Sequence, residues 1–151
     1  MTGAGSGPPG HDLRGLRVMI LDDEQIVGER LRLALGKHGL NVEAFVDPIA
    51  AQRRLAETDF DIMVTDLRMD AVDGIQILEQ VMSTRPETRV ILITGYASVD
   101  VAREALTKGA FDFIAKPFKA RDLREVINRA ALSLGHRGLE LHAPREGSGT
   151  R

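Results

Sequence analysis

The sequence predicts an open, doubly wound α/β domain built on a five-stranded parallel sheet. Apolar runs at 16–21, 62–65 and 90–94 are continuous rather than alternating, as expected for parallel strands covered on both faces. Weaker runs at 42–46 and 111–115 complete five. Each gap between runs carries apolar residues at helical spacing. The resulting (βα)5 order requires right-handed crossovers with helices on both sides of the sheet. Five strands are too few for an eight-stranded barrel, so the sheet is open.

Each helix has its own signals. Val27, Leu31, Ala34, Leu35 and His38 share one helical face, and Gly39 can close that helix. Asp47 followed by Pro48 reads as an N-cap with proline in the first turn, opening a helix that runs to about Thr58. Asp73 with Gln76 three residues later reads as a capping box, followed by Ile75, Leu78, Val81 and Met82 on one face. Ser98 can cap a helix carrying Ala102, Ala105 and Leu106, with Gly109 at its end. Leu123, Ile127, Ala130 and Leu134 line the last helix.

This ordered body spans 15–135. Residues 1–14 are Gly/Pro-rich and read as a flexible lead-in, and the polar, aperiodic stretch 136–151 reads as a flexible tail in which Leu139 and Leu141 are the only large apolar residues. The chain has 151 residues, 43% hydrophobic and 28% charged, an ordinary balance for a soluble globular domain. It has no cysteine, which excludes a disulfide framework and thiolate metal ligation. The N-terminus lacks the apolar core of a secretory signal, and no apolar run is long enough to span a bilayer. These features lead to the expectation of a cytoplasmic protein without a membrane partner. The net charge of −2, with acids and bases intermixed, does not favour direct nucleic-acid binding.

Two of the apolar runs end abruptly on acids. VMILDD at 18–23 ends on Asp22 and Asp23, and IMVTD at 62–66 ends on Asp66. In open α/β sheets the ligand sits outside the carboxyl ends of the strands, where the strand order reverses. In the flavodoxin-like order 2-1-3-4-5 that point lies between strands 1 and 3, so the three carboxylates converge there. Clustered carboxylates repel one another unless a cation joins them. An all-oxygen ligand set points to a hard cation, and magnesium fits best. A dinucleotide site would place glycines after strand 1, where this chain places Asp22, Asp23 and Glu24.

The ends of the last two strands complete the set. Strand 4 ends in Thr94-Gly95 and strand 5 runs into Lys116-Pro117. A carboxylate, a cation, a hydroxyl and an ammonium around one point can stabilise a phosphoryl group in transfer, with an aspartate as nucleophile. Taken singly, each residue has a plainer explanation: a capping Asp, a β-branched strand Thr, a surface Lys. Caps alone do not account for all of them at successive strand ends.

The motifs LDDE at 21–24, TDLRMDAVDG at 65–74, LITGYAS at 92–98 and GAFDFIAKPF at 109–118 resemble those of response-regulator receiver domains, the CheY-like family of two-component signalling. The resemblance covers roughly 16–134, and the last two motifs are similar to receivers of the NtrC-like group. It implies that Asp66 is the phospho-acceptor. It also implies that Asp22 and Asp23 hold magnesium with Asp66 and the backbone carbonyl of Arg68, that Thr94 is the switch hydroxyl, and that Lys116 pairs with a phosphoryl oxygen. The Lys116–Pro117 peptide would be cis. The partners implied are a histidine kinase or phosphotransfer protein upstream. Downstream they are a protein target or a self-dimer, engaged through the face of helix 4, strand 5 and helix 5. Such a domain catalyses only its own phosphorylation and dephosphorylation. Three positions depart from the family pattern. Asp70 stands where proline is frequent, Phe113 replaces the frequent switch tyrosine, and Gly95 follows Thr94, with Tyr96 beside it able to cover the site again.

Two competing functions remain open. A haloacid-dehalogenase-type magnesium-dependent phosphatase also uses Asp on an α/β sheet, but needs a second acid two residues after its nucleophile, where this chain has Arg68. A receiver fold that binds partners without phosphorylation would not be expected to keep a complete acidic pocket. Only 17 residues follow Leu134, so the chain is expected to be either a stand-alone receiver or a piece of a longer regulator.

Overall fold

A computed structural model describes residues 13–67, 73–95 and 99–135, without the side chain of Val99. Arg68, Asp70, Tyr96 and Ser98 lie outside the described residues, as do Leu139, Leu141 and most of the two terminal segments. The elements alternate throughout: β1 (Arg17–Leu21), α1 (Gln25–Gly36), β2 (Asn41–Phe45), α2 (Pro48–Glu57), β3 (Ile62–Asp66), α3 (Gly74–Thr84), β4 (Arg89–Thr94), α4 (Val99–Thr107), β5 (Asp112–Ala115) and α5 (Ala120–Ser133). All strand pairs are parallel, and the sheet order is β2-β1-β3-β4-β5, the 2-1-3-4-5 order expected.

The period-two alternation of the strands sorts the core into two halves. Val18, Ile20, Ile62, Val64, Ile91 and Ile93 face α1 and α5, where Leu31, Leu35, Leu123 and Ile127 cover them. Met19, Leu21, Met63, Val90 and Leu92 face α2, α3 and α4, under Leu55, Ile77, Leu78 and Ala105. Central strands buried on both faces explain why these runs are continuously apolar. Leu13, within the stretch read as a lead-in, is buried in the first of these halves, and its carbonyl accepts the Leu16 N–H at 3.1 Å.

Helix starts follow their caps. Asp47 Oδ1 accepts the Ile49 N–H at 3.0 Å, and Pro48 opens α2. Asp73 Oδ1 accepts the Ile75 N–H at 2.9 Å, so it caps α3. The reciprocal half of that box is not formed, since no bond from the exposed Gln76 side chain returns to the cap. At α5 the helix start is instead stabilised by Asp122, which accepts the Lys119 N–H at 3.0 Å. Gly39 and Gly109 follow α1 and α4 with φ of +83° and +109°, left-handed conformations that glycine adopts without steric cost.

Candidate functional site

The carboxyl edge of the sheet brings together all the described side chains singled out from strand ends. Asp22 follows β1, Asp66 and Thr94 end β3 and β4, and Lys116 follows β5. Backbone bonds tie these ends to each other. The Leu67 N–H donates to the Ile93 carbonyl at 2.8 Å, and the Lys116 N–H to the Thr94 carbonyl at 2.8 Å. The Lys116–Pro117 peptide is cis.

One carboxylate oxygen from each of Asp22, Asp23 and Asp66 lies within 4.8 Å of the others. Asp22 is fully buried and Asp66 is 8% exposed, whereas Asp23 faces solvent. Asp22 Oδ1 accepts the Glu24 N–H at 2.8 Å. Its Oδ2 is buried with no hydrogen-bond donor among the described residues, at 3.6 Å from Lys116 Nζ. Burial pushes the Asp22 carboxyl above its usual range, and the Asp66 and Glu24 charges add to that. The Glu24 N–H bond and the Lys116 ammonium oppose it without overcoming it.

Lys116 Nζ lies 3.2 Å from Asp66 Oδ2 and 3.3 Å from Glu24 Oε1. Burial pulls the ammonium towards its neutral form, but the Asp66 and Asp22 charges and the bonds to Asp66 and Glu24 outweigh it, so its pKa is raised. Thr94 is fully buried, and its Oγ1 donates to the Gly95 carbonyl at 3.0 Å. The hydroxyl is thus held by a bond to the adjacent residue. Phe113 is aligned with Leu92 in the β4–β5 ladder, and Thr94 lies two residues beyond Leu92. Thr94 and Phe113 therefore share the sheet face covered by α2, α3 and α4, to whose core Phe113 packs.

Two residues carry weight that the sequence did not reveal. Gly74 begins α3 hard against the end of β3: a Cβ there would sit 2.7 Å from the Asp66 carbonyl oxygen and 2.7 Å from Leu67 Cα. Its N–H donates to the Leu67 carbonyl at 2.9 Å, so the helix start and the end of β3 are locked together. Glu24 supplies a further carboxylate to Lys116, and its place directly after Asp23 was the only sequence signal for that contact. Arg68, whose carbonyl was expected among the metal ligands, lies outside the described residues.

A doubly wound sheet with an acid-lined pocket at its switch point defines a narrow class of phosphoryl-handling α/β domains. The family model for the response regulator receiver domain matches residues 18–128, and the chain belongs to that family. It is a receiver domain of two-component signalling, a signalling module rather than a metabolic enzyme, and the phosphatase alternative finds no support. It is 35% identical over 114 residues to the response regulator protein PilR of Pseudomonas aeruginosa, covering 76% of this chain and 26% of that one. It is 37% identical over 114 residues to the regulatory protein AtoC of Escherichia coli, covering 76% and 25%. The chain thus spans about a quarter of the length of these curated relatives. Among solved structures, a response regulator receiver domain protein from Clostridium thermocellum superposes with a TM-score of 0.75 at 28% identity, covering 78% of this chain and 95% of that one. The receiver domain of NtrX from Brucella abortus gives 0.73 at 27% identity, covering 77% and 98%.

Proposed function

We propose that Asp66 accepts a phosphoryl group from a phosphohistidine on a histidine kinase or phosphotransfer protein. The observation that carries this is the convergence of the Asp22, Asp23 and Asp66 carboxylates at one point, with the Lys116 ammonium at 3.2 Å from Asp66. An Asp66 carboxylate oxygen attacks phosphorus, the P–N bond breaks, and the electron pair goes to the imidazole nitrogen of the donor. Lys116 pairs with a phosphoryl oxygen. The Thr94 hydroxyl exchanges its bond to the Gly95 carbonyl for one to another phosphoryl oxygen.

Magnesium fits this donor set. The ligand atoms are hard carboxylate oxygens, and Asp22 Oδ2 is buried with no hydrogen-bond donor among the described residues, a cost that a cation would offset. Asp22, Asp23 and Asp66 would hold it together with the Arg68 carbonyl. When bound, it neutralises charge on the carboxylates and on the incoming phosphoryl oxygens.

Readout follows from the shared face of Thr94 and Phe113. Movement of Thr94 towards the phosphoryl group vacates space that the Phe113 ring enters, which alters the α4–β5–α5 face. With no hydroxyl on Phe113, this coupling rests on packing. That face is where a protein target or a second copy would dock. No helix among the described residues is long and apolar enough to cross a membrane, and a cytoplasmic location agrees with this signalling role. We infer that the domain's own partners are proteins. DNA binding is named for some of its longer relatives, such as NtrC of Escherichia coli.

Incubation with acetyl phosphate and magnesium should add one phosphoryl group that hydroxylamine removes, and Asp66→Asn should abolish it. Full labelling of that variant would overturn the assignment. Thr94→Ala should still be phosphorylated while losing NMR shifts at Arg103, Phe113 and Arg121. Shifts confined to the loops around Asp66 in the parent would rule out the coupling.

A further inference from the structure

We propose that Glu24 is a positioning residue that holds the Lys116 ammonium on the solvent side of the pocket and so restrains phosphorylation by anionic donors. This rests on the phospho-acceptor role of Asp66 proposed above.

Lys116 Nζ is shared between the partly buried Asp66 Oδ2 at 3.2 Å and the exposed Glu24 Oε1 at 3.3 Å. The two distances are nearly equal, so the ammonium sits between an inner and an outer carboxylate. The backbone fixes where the outer one stands. The Glu24 N–H is committed to Asp22 Oδ1 at 2.8 Å, and its carbonyl accepts the Val27 N–H at 3.0 Å as α1 begins. Glu24 therefore extends from a rigid N-cap position, beside the acids expected to hold the cation, without being one of the three whose oxygens converge.

Two effects follow from this placement. To reach a phosphoryl oxygen, Lys116 must give up part of its bond to Glu24. The incoming donor must also approach a carboxylate that lies outside the set expected to hold the cation. The first effect is the same for any donor, whereas the second opposes a dianionic donor more than a monoanionic one. Glu24 is largely solvated, so the effect is small and screened by salt.

The test compares the intact chain with its Glu24→Gln and Glu24→Asp variants at saturating magnesium. Two donors of different charge are used near neutral pH. With acetyl phosphate, the Asp66 carboxylate displaces acetate, which leaves with the electron pair of the broken P–O bond. With phosphoramidate, the P–N bond breaks and ammonia leaves carrying the protons already on nitrogen. Acetyl phosphate is mainly a dianion and phosphoramidate mainly a monoanion. Glu24→Gln should raise the acetyl phosphate rate by about two- to fivefold, the range expected for one exposed ion pair. The gain should be smaller with phosphoramidate and should fade in high salt. Glu24→Asp keeps the charge but shortens the reach to Lys116, and should fall between parent and Glu24→Gln. Equal gains with both donors, or a rate unchanged or lowered in Glu24→Gln, would overturn the role of Glu24 while leaving Asp66 as acceptor. Failure of the parent to label at all would overturn the acceptor assignment and this inference with it.

Discussion

Alanine at Gly74 should separate the stability of the domain from its chemistry. The new methyl would lie 2.7 Å from the Asp66 carbonyl oxygen, 2.7 Å from Leu67 Cα and 2.8 Å from the Leu67 carbonyl oxygen. All three are backbone atoms, so no side chain can rotate away. Unstrained contact begins near 3.5 Å, which requires the β3–α3 junction to open by roughly 0.7–0.8 Å. Overpacking of this kind costs about 1–3 kcal/mol. For a domain of this size, that lowers Tm by about 3–6 °C per kcal/mol. The displaced atoms carry Asp66, the proposed acceptor, so phosphorylation should slow by more than the lost stability explains. Gly36→Ala is the control. It lies at the end of α1 with nothing within 4 Å of the added methyl, and helix propensity should make it neutral or stabilising by up to about 1 kcal/mol. Urea unfolding with acetyl phosphate kinetics on the two variants gives both readouts. A Gly74→Ala protein as stable and as reactive as Gly36→Ala would refute the argument that close backbone approach places Asp66.

Gly28→Ala should stabilise the domain by about 0.5–1 kcal/mol in urea unfolding, since the new methyl meets Ala44 Cβ at an ordinary 3.5 Å in the interior of α1. Thr88→Val should cost about 1 kcal/mol in the same assay, because Thr88 Oγ1 donates to the Phe60 carbonyl at 2.8 Å in a buried turn. Asp22→Asn should raise the Tm of the magnesium-free protein by removing a buried charge, and should abolish most of the stabilisation that magnesium gives the parent. His38 should titrate below 6.5, held down by partial burial and then by the Arg124 and Lys37 charges. The unfolded chain then takes up the proton first, so the stabilising contribution is full above pH 6.5 and is lost as pH falls towards the folded pKa. NMR titration of His38 should show its pKa rising in Arg124→Gln, and a value at or above 6.5 in the parent would contradict this.

The strands and the acids were legible because they obey rules that act over a few residues. A strand buried on both faces must read as unbroken apolar residues, and 62–65 and 90–94 do. Their order was legible because the switch-point rule gave the acids a reason to converge. Side-chain reach was less legible. Gln76 has the right spacing for a capping box, yet Asp73 caps α3 without it. Asp122 stabilises the start of α5, behind a lysine that no capping preference would select. Gly74 drew no reading of its own from the sequence, because its necessity depends on how closely α3 returns to β3. Glu24 meets Lys116 across 92 residues of chain, a contact that only the folded sheet creates.

Among the described residues, the clustered carboxylates stand at the carboxyl end of the sheet. At the other, the Arg85–Asp59 ion pair joins the connections of residues 58–61 and 85–88, and Arg85 Nε donates to the Leu55 carbonyl of α2 at 3.1 Å. About five strand residues, roughly 16 Å, lie between these turns and the carboxylates. Peptide tags, fluorophores or a whole inserted domain spliced near Pro86 and Glu87, both exposed, would meet structural tolerance rather than catalytic geometry. The same insertion into the connection after β1 or β3 would dismantle the pocket. The domain thus offers a reporter attachment point at the end of the sheet opposite the clustered carboxylates.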